Sequence, residues 1–124
     1  MLYSILIFGS EERVAAWTPD EEREVMGRHA ELRRDLIAAG RMGPVLRLAR
    51  DAARTVRRYK ERTYVTDGPF AETKEQLMGI YIVEGASFDD ALAAAERLAF
   101  DTCAFEISPL TEFDPGIVSS VLPE

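Results

Sequence analysis

Two apolar runs, each followed by a helix-start signal, constrain the fold of this chain more than any other feature. Residues 2–8 are mostly apolar, β-branched or aromatic and end at Gly9, and residues 78–84 form a similar run that ends at Gly85. Runs of this length suit buried strands better than helices. The chain therefore alternates between strands and helices, which favours a mixed α and β fold.

The first helix has clear start and stop signals. Thr18 supplies an N-cap, Pro19 occupies the first helical position and Glu21 completes a capping box, so the pattern predicts a helix that ends at Ala39 before Gly40. The segment between the first strand and Thr18 is predicted to be a loop with at most a short helical turn.

The apolar face of this helix carries the only histidine of the chain. Val25, His29, Leu32 and Leu36 recur at spacings of four, three and four residues, which places them on one side of a helix. We therefore expect His29 to point toward the sheet.

The middle of the chain predicts three further strands. Residues 42–48 contain Gly43 and Pro44, and the proline restricts that strand to an edge or a strand start. Residues 54–66 read as two short strands that turn near Lys60 and Glu61, although the Asn-Gly or Asp-Gly of a tight hairpin is missing.

The last third predicts a second helix and a final strand. Ser87 is the expected N-cap, and Phe88, Leu92, Ala95 and either Leu98 or Ala99 form the expected buried face. Residues 104–110 alternate and end near a proline, which predicts a strand, and residues 111–124 form a tail.

This order of elements predicts one α+β domain over residues 1–124. Two helices that both cover one face of a sheet give a ferredoxin-like two-layer sandwich, here with an added β-hairpin. The other face of the sheet needs cover, and Tyr3, Ile5, Tyr81 and Val83, or their alternates, are the candidates to lie on it. A second copy of the chain is the expected cover, so we predict a homodimer.

The charge distribution limits the partners of the chain. The net charge of −7 argues against nucleic acid. Residues 41–62 nevertheless hold eight basic and two acidic residues, a net +6, which leaves −13 for the rest. This basic segment is either a solvated hairpin or a strip that binds an anion or a partner.

The content of Cys and His excludes several kinds of site. Cys103 is the only cysteine, so no internal disulfide forms, and with a single histidine a zinc site of N and S ligands is nearly excluded. No phosphate-binding Gly-rich loop or metal motif occurs, and we expect no cofactor. No stretch reaches the roughly 20 apolar residues of a membrane span, and the first residues lack a basic leader, so the expected location is cytoplasmic.

Residues 65–77 read Val-Thr-Asp-Gly-Pro-Phe-Ala-Glu-Thr-Lys-Glu-Gln-Leu and resemble the signature of YCII-related proteins of the DGPF type. The order of the surrounding elements also resembles that family, over nearly the whole chain. The resemblance implies the dimeric α+β barrel version of the ferredoxin-like fold. One departure follows the signature: the family commonly continues with Leu-Gly-Gly-Tyr-Tyr, whereas Met78 and Ile80 stand here in place of a Gly and a Tyr, a change expected to fill or reshape a pocket.

The resemblance also implies candidate site residues. Members of the family are mostly uncharacterised, and the resemblance implies lyase or isomerase chemistry through a His and Asp pair, here His29 and Asp67. Arg57, Tyr81 and Glu72 are the candidate substrate-binding residues.

Each of these residues has a structural alternative. His29 is otherwise a core histidine, Asp67 caps its own turn, Tyr81 is a sheet aromatic and the charged loop is solvent-exposed.

Two functions follow from these alternatives. The first is a cofactor-free lyase or isomerase that acts on a small anionic molecule, with His29 as acid or base and Asp67 as its orienter. The second is a non-catalytic ligand-binding or regulatory dimer, associated with an extracytoplasmic-function sigma factor as DGPF members often are.

Overall fold

A four-stranded antiparallel sheet forms the centre of the computed structural model, which describes residues 1–70 and 74–118. The elements follow one another as β1 (Leu2–Gly9), α1 (Glu11–Ala15), α2 (Pro19–Ala38), β2 (Met42–Arg47), β3 (Arg54–Tyr59), β4 (Arg62–Asp67), β5 (Gln76–Glu84), α3 (Phe88–Leu98) and β6 (Cys103–Pro109). The strand order of the main sheet is β2-β5-β1-β6, and β3 pairs with β4 in a separate hairpin. This α+β arrangement is ferredoxin-like, as the sequence predicted.

Helix α2 begins as its capping box requires. The Thr18 hydroxyl accepts a hydrogen bond from the backbone N–H of Glu21, and the Glu21 carboxylate accepts one from the backbone N–H of Thr18. Helix α1, with five residues, lies where a loop with a helical turn was predicted. Among the described residues, no helix has both the length and the apolar character needed to cross a membrane.

The hydrophobic core lies between the two longer helices and one face of the sheet. Tyr3 and Ile5 of β1 and Tyr81 and Val83 of β5 belong to it, together with Leu32, Leu36, Ala91, Ala94, Ala95 and Leu98 of the helices. The four strand residues therefore face the helices. Their alternates Leu6 and Ile80, which pair across β1 and β5, point to the open face of the sheet.

The buried face of α3 differs from the prediction at Phe88, which is exposed, and at Leu92, which is only half-buried. Phe88 is 39% exposed and was wrongly assigned to the core. It stands at the first helical position and contacts the edge of the Tyr3 ring, with 5.7 Å between ring centroids. Small alanines form most of the buried face instead, because they allow the helix to approach the sheet closely.

The hairpin of β3 and β4 turns at Lys60 and Glu61, as predicted. Both residues have positive φ, 49° and 67°, which is the conformation that a tight two-residue hairpin turn requires. Nearly all of the hairpin is exposed. Its base is held by Thr55, whose hydroxyl donates to the Gly68 carbonyl at 2.9 Å.

A β-bulge lies where β1 and β5 pair. Ile7 pairs with Gly79 and Phe8 pairs with Leu77, so Met78 is the extra residue. Gly79 also lies close to β2: a Cβ atom there would stand 2.8 Å from the Leu46 carbonyl oxygen. The absence of a side chain at Gly79 is therefore what lets β2 approach β5 at this point.

Candidate functional site

A cavity of about 370 Å³ lies between α2 and the core face of the sheet, and it is the candidate site. Its wall includes residues from α1, α2 and all four strands of the main sheet. It therefore extends across the sheet from β2 at one edge to β6 at the other.

The polar end of the cavity is a three-residue contact between α2 and β5. Nδ1 of His29 lies 2.6 Å from Oη of Tyr81, and the Nε–H of Arg33 donates to the same oxygen at 3.3 Å. The Arg33 guanidinium also lies over the Tyr81 ring, 5.6 Å from its centroid. Tyr81 is 1% exposed, so its position is fixed by the core while its hydroxyl reaches the cavity.

Positive charge surrounds the histidine. Arg33 and Arg47 both line the cavity and both are exposed, so they lie toward its mouth. Burial lowers the pKa of His29 below its usual 6.5, and the charges of Arg33 and Arg47 lower that pKa further. The imidazole is therefore neutral near neutral pH, the state in which it accepts a proton.

The Tyr81 hydroxyl supports both tautomers of the neutral imidazole. A hydroxyl donates one hydrogen bond and accepts others, so Nδ1 of His29 can either accept from Oη or donate to it. In the first case Nε2 carries the proton and donates a hydrogen bond; in the second Nε2 has a free lone pair and acts as a base. Among the described residues no hydrogen bond to Nε2 is found.

The opposite end of the cavity is apolar and aromatic. Trp17, Phe100 and Phe105 line it, and the rings of Trp17 and Phe100 meet edge to face at 5.8 Å between centroids. The indole N–H of Trp17 donates to the Thr102 hydroxyl at 3.1 Å. The single donor of the indole is thus already used within the protein.

The structure does not bring all the predicted site residues together. His29 and Tyr81 meet in the cavity, whereas Asp67 lies at the base of the hairpin, 97% exposed, with a carboxylate oxygen 3.7 Å from Nε of Arg54. Within the described part of the chain Asp67 is not among the cavity residues, and the pairing of His29 with Asp67 is not formed.

The two other predicted binding residues lie elsewhere. Arg57 is exposed on the hairpin and stacks over the Phe70 ring at 5.2 Å. Glu72 lies outside the described residues. The binding roles of both stay predictions.

Sequence reasoning missed the two cavity arginines. Arg33 follows His29 by four residues and so shares its helix face. Arg47 follows Val45 by two residues in a strand, which places both on the helix side. Met78, one of the two departures from the family pattern, lines the cavity, whereas Ile80 points to the open face.

The lowered pKa of His29 predicts a pH-dependent stability. In the window below 6.5 the unfolded chain binds a proton at this site that the folded chain does not, so stability falls as pH falls through that window. The free energy of unfolding, measured with urea at about pH 5 and pH 8, should therefore drop more in the wild type than in His29→Gln. An equal drop in both proteins would contradict the assignment.

Comparisons with known proteins found one matching family model and a similar protein. A family model described as the YCII-related domain matches residues 1–114. A protein of Rhizobium meliloti (strain 1021), described as uncharacterized, is 41% identical over an alignment of 124 residues that covers 97% of this chain and 100% of that protein.

Proposed function

The chain belongs to the YCII-related family, and from that premise we propose that it binds a small anionic molecule in the cavity and acts on it as a cofactor-free lyase or isomerase. His29 is the proposed acid or base. The observation that carries the proposal is the 2.6 Å contact between His29 and Tyr81 at a cavity edge that also holds Arg33 and Arg47. Tyr81 takes the orienting role that was expected of Asp67.

The electrostatics of the cavity fit this chemistry. Lyase and isomerase reactions next to a carboxylate begin with removal of a proton from carbon, which needs a neutral base and positive charge near the developing anion. The lowered pKa keeps His29 neutral, and the two arginines supply the charge. Burial and the two arginines thus keep His29 neutral, and the arginines would also stabilise the anion that is left on the substrate carbon.

Proton exchange tests the proposal before the substrate is known. A pool of small organic acids in D₂O should show, by proton NMR, loss of a C–H signal in the presence of the wild type. His29→Gln should lower that exchange by at least about 100-fold. Glu31→Gln, an exposed change on the same helix, is the matched control and should exchange like the wild type.

The result separates the two candidate functions. Equal exchange in wild type and His29→Gln would refute the catalytic role of His29. Binding of an acid without any exchange would instead favour the non-catalytic ligand-binding alternative.

We also propose that two copies of the chain associate through the open face of the sheet. Leu6, Phe8, Ile80 and Ile82 lie there by strand alternation and are only half-buried in one chain. A cluster of apolar side chains on one sheet face is typical of an interface. An isologous contact between two such faces would cover both at once.

Ile80→Asp should produce a monomer, because a carboxylate at the centre of an apolar interface is costly to desolvate. Light scattering coupled to size exclusion should give twice the mass of one chain for the wild type and the mass of one chain for the variant. Ile37→Asp, at a position 65% exposed on α2, is the control and should remain dimeric. A monomeric wild type would contradict the proposal.

A further inference from the structure

We propose that the ligand of the cavity is an organic acid with one anionic group and an apolar body about the size of an aromatic ring. Its anion lies between Arg33 and Arg47 at the mouth, and its body lies against Trp17 and Phe105. This inference rests on the proposed function, since it assigns the ligand class of the same cavity.

The two ends of the cavity are well separated. Arg47 is on β2 and Phe105 is on β6, at opposite edges of the sheet, so their backbones are three strand spacings or about 14 Å apart, and their side chains line the cavity between them. Along α2, the first residue Pro19 and His29 are about 15 Å apart by helical rise, and Trp17 lies two residues before Pro19. The cationic and aromatic ends therefore contact different parts of one ligand.

The mouth selects for negative charge. Among the described residues that line the cavity there are two arginines and neither an aspartate nor a glutamate, although the whole chain has a net charge of −7. Arginine donates in a planar fork that matches a carboxylate. A cation at this position would meet like charges, and a neutral group would leave both guanidinium groups without a ligand partner.

The aromatic end selects against polar groups. The Trp17 N–H is already bonded to Thr102, and Phe100 and Phe105 offer no donor. A polar group placed there would lose its hydrogen bonds with water and gain few in return. A cavity of about 150 Å³ suffices for benzene, so the 370 Å³ here accommodates a ring together with its anionic group.

Each end has its own spectroscopic reporter, because the chain contains one tryptophan and one histidine. Three probes separate the two ends: phenylacetate, its neutral isostere phenylacetamide, and acetate, which lacks the ring. Phenylacetate should change Trp17 fluorescence and also raise the pKa of His29 measured by NMR. Acetate should affect only His29, and phenylacetamide should bind at least about 10-fold more weakly than phenylacetate.

Paired variants assign each end to its residues. Arg47→Met should remove the preference for phenylacetate over phenylacetamide, whereas Arg34→Met, on the exposed side of α2, should keep it. Phe105→Ala should lower the affinity for phenylacetate about 10-fold. Phe113→Ala, at a position outside the cavity, should leave that affinity unchanged. If Phe105→Ala fails to fold, Phe105→Leu is expected to weaken the same probe to a smaller extent.

Two outcomes would overturn the inference. One is equal affinity for phenylacetate and phenylacetamide; the other is a response of His29 without any change at Trp17. Either result leaves the proposed function standing if the pool of acids still shows exchange that depends on His29. Two-ended binding of phenylacetate without exchange of any acid would support the ligand class and refute the catalytic proposal.

Discussion

Gly79→Ala is expected to destabilise the protein by about 2 kcal/mol, even though alanine is intrinsically more favourable than glycine in a strand. The added Cβ would stand 2.8 Å from the Leu46 carbonyl oxygen, a backbone atom that cannot rotate away. Strand β2 must therefore shift away from β5 and carry Arg47 with it. Urea unfolding should show the loss of stability, and phenylacetate should bind more weakly.

Gly27→Ala is the matched control. Gly27 lies on the exposed side of α2, and a Cβ there meets nothing within 4 Å. Alanine should stabilise the helix by about 1 kcal/mol. The same substitution is thus expected to have opposite signs at the two glycines, and a gain of stability at Gly79 would show that β2 does not need this close approach.

Tyr81→Phe is expected to lower stability by about 2 kcal/mol, because Tyr81 is buried and its hydroxyl is the common partner of His29 and Arg33. Because phenylalanine keeps the ring, the loss of stability measures the contribution of the hydroxyl group. Exchange that depends on His29 should fall by about 100-fold, since the imidazole then loses the hydrogen-bond partner that orients its ring.

Tyr64→Phe removes a hydroxyl from the exposed hairpin and should leave both the free energy of unfolding and the rate of proton exchange unchanged. Urea unfolding and proton exchange, measured on the same three proteins, provide the comparison. Normal exchange in Tyr81→Phe would mean that the hydroxyl stabilises the core without orienting His29.

The fold was predictable because its signals are local. The capping box at Thr18, the histidine spacing on α2 and the turn at Lys60 and Glu61 each depend on a few neighbouring residues, and the structure confirms all three elements. Phe88 was misplaced because spacing alone does not say how deep the first turn of a helix sits.

The site was only partly predictable because its contacts join distant residues. Helix periodicity directed His29 toward the sheet, but its partner was chosen by resemblance, and the structure shows Tyr81 there. To predict Tyr81 as the partner, one must know which alternate residues of β5 face the helices, and no local pattern determines this. The arginines posed the same problem: Arg57 and Arg47 look alike in the sequence, yet only Arg47 reaches the cavity.

The bulge at Met78 changes the alternation of side chains along β5. Because side chains alternate along a strand, one extra residue normally exchanges the two faces of everything upstream. Here Met78 is that extra residue, so the alternation of Gln76 and Leu77 differs from the alternation of Gly79 and Tyr81. Met78 and Gly79 can therefore both line the cavity although they are consecutive residues of one strand.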